Sequence, residues 1–181
     1  MELRSLQDLF VLEIKDLYNA EQQLLDALPR MAEAASNPEL RNAFQQHEVT
    51  TREQVRRLER IFDDLGQSPK GHKCQGMEGL VREGREMIGQ EGDPAVRDAG
   101  LIGAAQRIEH YEIAGYGTAR TFAERLGMDE AARLLQQTLD EEGETDHRLT
   151  GLAERLVNPE AQQRSGPGPQ EPERRQSGYG G

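Results

Sequence analysis

Residues 96–118 read VRDAGLIGAAQRIEHYEIAGYGT and carry the strongest indication of the fold. Its apolar residues recur every three or four positions, which is the spacing of one face of an α-helix. The stripe comprises Leu101, Ala105, Ile108 and Tyr116 and continues through Ala119 and Ala123. Glu109 and Glu112, three residues apart, interrupt it on the same face. Because burying a charge without a partner is costly, these two glutamates are the first candidates for a functional role.

The rest of the chain also favours helices. It is rich in Ala, Glu, Gln, Leu and Arg, which lose little conformational entropy in a helix, and it contains no alternating run of Val, Ile and Thr. Its 181 residues suit one domain with a real core. With four Phe, four Tyr and no Trp, that core must consist largely of Leu, Ala, Ile and Met. The composition predicts an all-α protein.

Capping and proline signals divide the chain into four long helices and one short helix. An Asn or Asp N-cap followed by proline is typical of a helix start, and a glycine often follows a helix end. The predicted boundaries are Ser5 for the first helix, Asn37-Pro38 and Gly66 for the second, Asp93-Pro94 for the third and Gly127 between the third and fourth, with a short helix at residues 76–89. We expect Pro29 to kink or loosen the last turns of the first helix.

The lengths of the connections predict the topology. The first two long helices are joined tightly, as are the last two, so each pair is expected to form an antiparallel hairpin. The link between the second and third long helices contains the short helix. The sequence therefore predicts a ferritin-like antiparallel four-helix bundle with one long crossover, spanning residues 1–157. Residues 158–181, rich in Gly, Pro, Gln, Arg and Ser, are predicted to be a disordered tail.

Charge and cysteine content exclude several classes of protein. The formal net charge of −11 argues against a nucleic-acid partner, since a phosphate-binding surface needs clustered cations. Cys74 is the single cysteine, so no internal disulfide forms. The N-terminus lacks a signal-like apolar stretch, and no segment approaches the roughly 20 apolar residues of a membrane span. We expect a soluble, cytoplasmic protein without a membrane partner.

Acidic side chains recur on the inward stripes of the other helices. Glu21 lies between Leu17 and Leu24, and Glu142 holds an inward position in the fourth helix. His47 lies on the inward stripe of the second helix, and Asp146 lies one turn beyond Glu142, at the margin. The predicted metal ligands are therefore Glu21, His47, Glu109, Glu112, Glu142 and Asp146. Their oxygen and imidazole donors suit a dinuclear iron or manganese centre, and without metal some of the carboxylates should hold protons.

Structural explanations compete with this hypothesis. Since 33 of the 181 residues are Asp or Glu, some acids will fall on an apolar stripe by chance. A single inward glutamate is thus readily explained without a ligand, whereas four at consistent levels favour a site. His47 alone could be a hydrogen-bonded core histidine. His72 and Cys74 are too weak a pair for a metal motif, and a packed thiol is the simpler interpretation.

At these residues the chain resembles the YciF/YciE-like bacterial stress proteins, which are ferritin-like by fold. The resemblance covers residues 3–157 and is carried by DLYNAEQQL at 16–24, CQGMEGLVREG at 74–84, the stretch at 96–118 and LLQQTLDEEGETDHRLT at 134–150. It implies a rubrerythrin-like four-helix domain that forms a homodimer and holds a dinuclear metal centre. Carried over by position, that centre would use Glu21, Glu109, Glu112 and Glu142, with His47 and Asp146.

The chain departs from the ferritin-like ligand pattern, which places Glu-x-x-His on the second and fourth helices. The second helix has His47 followed by Thr50, where relatives often have an acid, and the fourth has no inward histidine. Three hypotheses follow. The first is a stress-associated iron or manganese protein acting on peroxide or dioxygen. The second is a non-enzymatic dimeric helical protein with buried carboxylates and no working metal pair, and the third, which the sequence favours least, is a cage that stores iron.

Overall fold

The computed structural model describes residues 3–164, and every regular element within them is helical. The elements are α1 (Leu6–Ala34), α2 (Pro38–Leu65), α3 (Gln75–Ile88), α4 (Pro94–Arg125) and α5 (Asp129–Leu152), then a π-helical turn (Ala153–Val157) and α6 (Asn158–Arg164). The predicted all-α class is confirmed. None of these helices combines the length and apolarity that crossing a lipid bilayer requires.

The helix boundaries follow the capping residues. The side chain of Asn37 accepts hydrogen bonds from the first amides of α2, and Asp93 does the same for α4. Gly66 ends α2 with φ of 60°, a left-handed conformation that glycine adopts without steric cost. Pro29, which was expected to kink or loosen α1, lies inside a helix that is unbroken from Leu6 to Ala34. Leu28 before the proline and Met31 after it are buried, so core packing holds the helix on both sides of Pro29.

The helices pack in contacting pairs around two apolar clusters. Helix α1 packs along α2 and α4, α5 packs along α4 and α2, and α3 covers α1 and α4. The first cluster includes Leu24, Leu28, Leu40, Phe44, Met77, Leu101, Ile108 and Leu149. The second includes Phe10, Ile14, Leu58, Phe62, Tyr116, Ala123 and Leu135. The middle turns of the four long helices therefore lie between two water-excluding layers.

The folded chain extends past residue 157, where the sequence placed the end of the domain. Val157 is buried, and α6 continues the helix to Arg164. The structure therefore departs from the prediction that a tail begins at residue 158. Helix α6 packs against α4, and the polar composition of the segment does not reveal this contact. The remainder of the predicted tail, residues 165–181, lies outside the described residues.

Candidate metal centre

A layer of buried polar side chains separates the two apolar clusters. It comprises Glu21 from α1, His47, Thr51 and Gln54 from α2, Glu109 and Glu112 from α4, and Thr138 and Glu142 from α5, each at most 4% exposed. All four long helices contribute, because the inward stripe of each carries a polar residue at this level. Such a layer needs internal partners, since water does not reach it.

Four of these side chains converge on one point. Ligand atoms of His47, Glu109, Glu112 and Glu142 all lie within 4.8 Å of one another. Nδ1 of His47 is 3.5 Å from Oε1 of Glu109, and its Nε2 is 3.8 Å from Oε2 of Glu142. These separations are too long for good hydrogen bonds. His47 therefore forms no good hydrogen bond with either carboxyl, whereas Glu109 and Glu142 lie close enough to each other to share a proton.

Most of the polar atoms at this point have no hydrogen-bond donor when the carboxyl groups are ionised. They are both carboxylate oxygens of Glu109, both of Glu112, Oε2 of Glu142, Oε2 of Glu21 and Nε2 of His47. An unpaired buried polar atom costs about 1–3 kcal/mol, and more when it is charged. So many in one place indicate that protons or a cation complete the arrangement.

The same crowding shifts the pKa values of these groups. Burial, followed by the charge of Glu142, raises the pKa of Glu109 well above its ordinary value. Burial and the neighbouring Glu21 do the same for Glu112, and burial raises the pKa of Glu142 to about 8. Burial lowers the pKa of His47 to about 4, so at neutral pH its imidazole is uncharged and able to act as a ligand.

Glu21 borders the group of four from α1. One of its oxygens accepts a hydrogen bond from the hydroxyl of Tyr116, and the other has no partner. Burial and then repulsion from Glu142 raise its pKa well above the ordinary value. Glu21 therefore interacts electrostatically with the central carboxylates. Four of the six sequence-predicted ligands thus lie in one group, and Glu21 is buried beside them without belonging to it.

Asp146, the sixth predicted ligand, has other partners. Its Oδ1 accepts a hydrogen bond of 3.1 Å from Nε2 of Gln106 and lies 3.5 Å from Nε2 of His110. The side chain is 22% exposed, whereas the four central residues are buried. One helical turn beyond Glu142 therefore places Asp146 at the edge of the helix interface. The structure does not bring it into the group of four.

Gln54 belongs to the polar layer and was not predicted from the sequence. It is fully buried, and its Nε2 donates a hydrogen bond of 2.6 Å to Oε1 of Glu142. Its spacing in the sequence could have indicated its inward position, because Gln54 lies seven residues after His47 and three after Thr51, on the same helical face. Gln54 leaves Oε2 as the free oxygen of Glu142.

Arg57 supports the layer from its rim. Its guanidinium donates two hydrogen bonds of 2.6 Å to the two oxygens of Glu141 and one of 3.1 Å to Oγ1 of Thr138. The side chain of Glu141 is 25% exposed. The bidentate pair joins α2 to α5 beside Glu142 and sets a positive charge near the carboxylates.

Cys74 lies apart from this layer, as a packed thiol. It is buried at the N-terminus of α3, where its sulfur accepts from the amide of Met77 and lies 3.0 Å from the hydroxyl of Tyr111. That hydroxyl also donates a hydrogen bond to Oδ2 of Asp16, whose Oδ1 lies 2.7 Å from Nε2 of His72. Burial raises the pKa of Cys74 to about 11, so the thiol keeps its proton. The predicted packed thiol is confirmed.

Comparison with known proteins identifies similar chains. The model of DUF892, a domain of unknown function, matches residues 5–162. Protein YciF of Escherichia coli strain K12 is 43% identical over 166 residues, which is 91% of this chain and 100% of YciF. The sequence-based resemblance to the YciF-like proteins is therefore confirmed.

Solved structures agree with the sequence comparison. The crystal structure of the E. coli stress protein YciF has a TM-score of 0.83 and 44% identity, covering 86% of this chain and 99% of that chain. A structure of YcfI from Rhodopseudomonas palustris, proposed to be a structural protein, has a TM-score of 0.80 and 40% identity, covering 82% and 95%. The helical architecture is thus shared with experimentally determined relatives.

Proposed function

This chain belongs to the DUF892 family as a YciF-like protein, and we propose that its polar layer is a metal centre for a pair of iron or manganese ions in a stress-associated protein. The carrying observation is the convergence of His47 with Glu109, Glu112 and Glu142, all buried and with ligand atoms within 4.8 Å of one another. A cation would pair the carboxylate oxygens that lack partners.

The donor set suits these metals. Carboxylate oxygens with one neutral imidazole are ligands that iron and manganese accept, whereas a soft ion such as Cu(I) prefers thiolates. The thiol of Cys74 packs against Tyr111 instead. The formal net charge of −11 also favours the approach of cations.

The proposal of two ions rests on Glu21. The group of four offers one set of mutually close ligand atoms, and Glu21 adds a free oxygen from the side of α1. The charge of Glu21 is the main electrostatic influence on Glu112 after burial itself. Glu21 and Glu112 would therefore hold the pair of ions together with His47, Glu109 and Glu142.

A bound iron or manganese pair would supply one-electron redox chemistry toward peroxide or dioxygen. The residues of the chain contribute the surroundings for it. The two apolar clusters exclude bulk water, and the carboxylates, whose pKa values are raised, can hold or release protons at their free oxygens as the charge in the centre changes. Gln54 and Tyr116 hold one oxygen each of Glu142 and Glu21 in place.

The topology that we propose is the ferritin-like antiparallel four-helix bundle with α3 in the long crossover. The first apolar cluster joins the later part of α1 to the early parts of α2 and α4, and the second joins the early part of α1 to the later parts of α2 and α4. This pattern supports opposite directions for each contacting pair. We further propose a cytoplasmic homodimer, which light scattering on the purified chain would test.

A second candidate function has one observation in its favour. YcfI, at 40% identity, is proposed to be a structural protein. In that case the buried carboxyl groups would be protonated and therefore neutral. The chain would be a non-enzymatic dimeric helical protein without a working metal pair. Thr50, in place of a further ligand on α2, is consistent with this candidate.

Metal analysis separates the two candidates. The full chain is purified without chelator, and iron and manganese are measured by mass spectrometry for wild type, Glu112→Ala and the exposed control Glu144→Ala. The metal centre predicts about two ions per chain in wild type and in Glu144→Ala. It predicts their loss in Glu112→Ala with helical circular dichroism retained. A metal-free wild type that cannot be reconstituted with Mn²⁺ or Fe²⁺ would establish the structural candidate.

A further inference from the structure

A small cavity lies between α2 and α5, beside His47. Its volume is about 50 Å³, and its walls include His47, Thr50, Thr145 and Arg148 together with Phe44 and Leu149. A cavity needs roughly 10–15 Å³ on this measure to hold one water, and pockets for drug-sized ligands start at about 300 Å³. The cavity therefore has room for a molecule of a few heavy atoms and excludes larger organic compounds.

Two threonines create this space. Thr50 follows His47 by three residues on α2, and Thr145 follows Glu142 by three residues on α5. Each therefore lies on the same helical face as a residue of the metal centre, one turn further along. Ferritin-like carboxylate sites place the second residue of a Glu-x-x-His pair at this spacing. Shorter side chains here leave a cavity where such ligands would lie.

The hydrogen bonding of the two hydroxyls gives the cavity its chemistry. Oγ1 of Thr50 donates to the carbonyl of Gln46 at 3.3 Å, and Oγ1 of Thr145 donates to the carbonyl of Glu141 at 3.0 Å. Because each hydroxyl hydrogen is used within its helix, the oxygen lone pairs remain as acceptors. Arg148 adds a donor to the same walls. A small molecule with O–H groups satisfies both kinds of partner.

We propose that this cavity is the binding site for a small hydroxylic molecule, of the size of hydrogen peroxide, which reaches the metal centre from the side of His47. Thr50 and Thr145 set the upper limit of its size. This inference rests on the proposed metal centre, and it adds the direction of approach and the size class of the molecule that would react there.

Azide binding to the Co²⁺-loaded full chain tests the cavity without relying on turnover. Co²⁺ binds nitrogen and oxygen sites at least as tightly as Mn²⁺ or Fe²⁺, and its visible spectrum changes when azide coordinates. Azide is a narrow three-atom probe that fits the cavity. Thr145→Ile and Thr50→Ile fill the space, whereas Thr145→Val removes the hydroxyl at nearly constant volume. Thr121→Ile is the matched control, because Thr121 is exposed and makes the same kind of bond, to the carbonyl of Thr118.

We expect Thr145→Ile and Thr50→Ile to weaken azide binding by at least about tenfold, the effect of misfilling a small pocket. Thr145→Val and Thr121→Ile should stay within about threefold of wild type, as should Co²⁺ affinity in every variant that retains its helical circular dichroism. If both filled variants bind Co²⁺ and azide as wild type does, the cavity proposal is overturned while the metal centre stands. If wild type binds no Co²⁺, the metal centre itself fails, and this proposal fails with it.

Discussion

Tyr116 of α4 donates a hydrogen bond from its hydroxyl to Oε1 of Glu21 in α1, and both side chains are fully buried. The bond joins the two helices at the level of the metal centre and leaves Oε2 of Glu21 as the free oxygen. Burial and then the charge of Glu21 raise the pKa of Tyr116 well above its ordinary value, so the phenol remains a donor. A tyrosine on an apolar stripe thus positions a carboxylate of the site.

Replacing Tyr116 with phenylalanine should destabilise the metal-free protein. The change leaves Oε1 of Glu21 buried and unpaired, which costs about 1–3 kcal/mol of unfolding free energy. Urea denaturation in the presence of chelator measures it. The control is Tyr18→Phe, because the hydroxyl of Tyr18 donates to Glu59 at an exposed position, where the loss should stay within about 0.5 kcal/mol. Equal losses in the two variants would contradict a positioning role for Tyr116.

Replacing Gln54 with leucine should weaken metal binding. Without the amide, Oε1 of Glu142 has no donor to hold it, and residues that orient a ligand in this way are typically worth 10–100-fold in metal affinity, at order-of-magnitude precision. Titration calorimetry with Mn²⁺ provides the measurement. Gln137→Leu is the matched control, since the amide of Gln137 contacts Glu141 at 3.4 Å on the exposed side. Unchanged Mn²⁺ affinity in Gln54→Leu would show that Glu142 needs no such support.

The metal-free protein should lose stability as pH rises from 6.5 to 8. Burial raises the folded-state pKa of Glu142 to about 8, so its proton stabilises the folded protein and that contribution is lost as pH rises toward 8. His47 acts in the opposite sense, because its folded pKa is lowered to about 4 from an ordinary value of 6.5. Only about 0.4 kcal/mol of that gain remains above pH 6.5, where the unfolded-state imidazole is half deprotonated. Glu142 alone should account for a decrease of about 1–2 kcal/mol in unfolding free energy.

Urea denaturation at pH 6.5, 7.2 and 8.0 measures this slope. Glu142→Gln should make the slope shallower, since the amide mimics the protonated carboxyl and does not titrate. Glu21, Glu109 and Glu112, whose pKa values are also raised by burial, continue to contribute to the slope in this variant. Saturating Mn²⁺ should reverse the sign, because metal binding requires deprotonated ligands and is favoured at higher pH. A metal-free protein whose stability rises over this range would show that the carboxylates are ionised throughout.

Replacing Asp98 with alanine should destabilise the fold independently of metal. Asp98 of α4 accepts hydrogen bonds from the amide and hydroxyl of Ser36, at 2.9 and 2.7 Å, and from the amide of Asn37 at 2.7 Å. It thereby holds the connection between α1 and α2 against α4, and its loss should cost about 2–4 kcal/mol. The exposed control Asp140→Ala, which loses one contact with Gln136, should change stability by less than about 0.5 kcal/mol in the same denaturation experiment.

The helices and their inward faces were predictable because they depend on neighbours in the chain. The cap-and-proline pairs at Asn37 and Asp93 start α2 and α4 where the sequence indicated. The three- and four-residue spacing that placed Glu109 and Glu142 inward is the period of a single helix, and both are buried. The continuation of α6 beyond residue 157 was missed, since contact with α4 holds it and local composition argued against structure.

Residue order alone predicts an all-α protein and identifies the acids and the histidine that its helices turn inward, because the face on which a residue lies follows from its position along one helix. Which of these side chains meet depends on how the helices pack against one another. Gln54 donates a hydrogen bond to Glu142, and Tyr116 donates one to Glu21. Asp146 accepts its hydrogen bond from Gln106. Helix register sets these pairings, because it fixes the distances between side chains on different helices. The cavity beside His47 has the same origin, since an empty volume exists only where two packed helices fail to fill it.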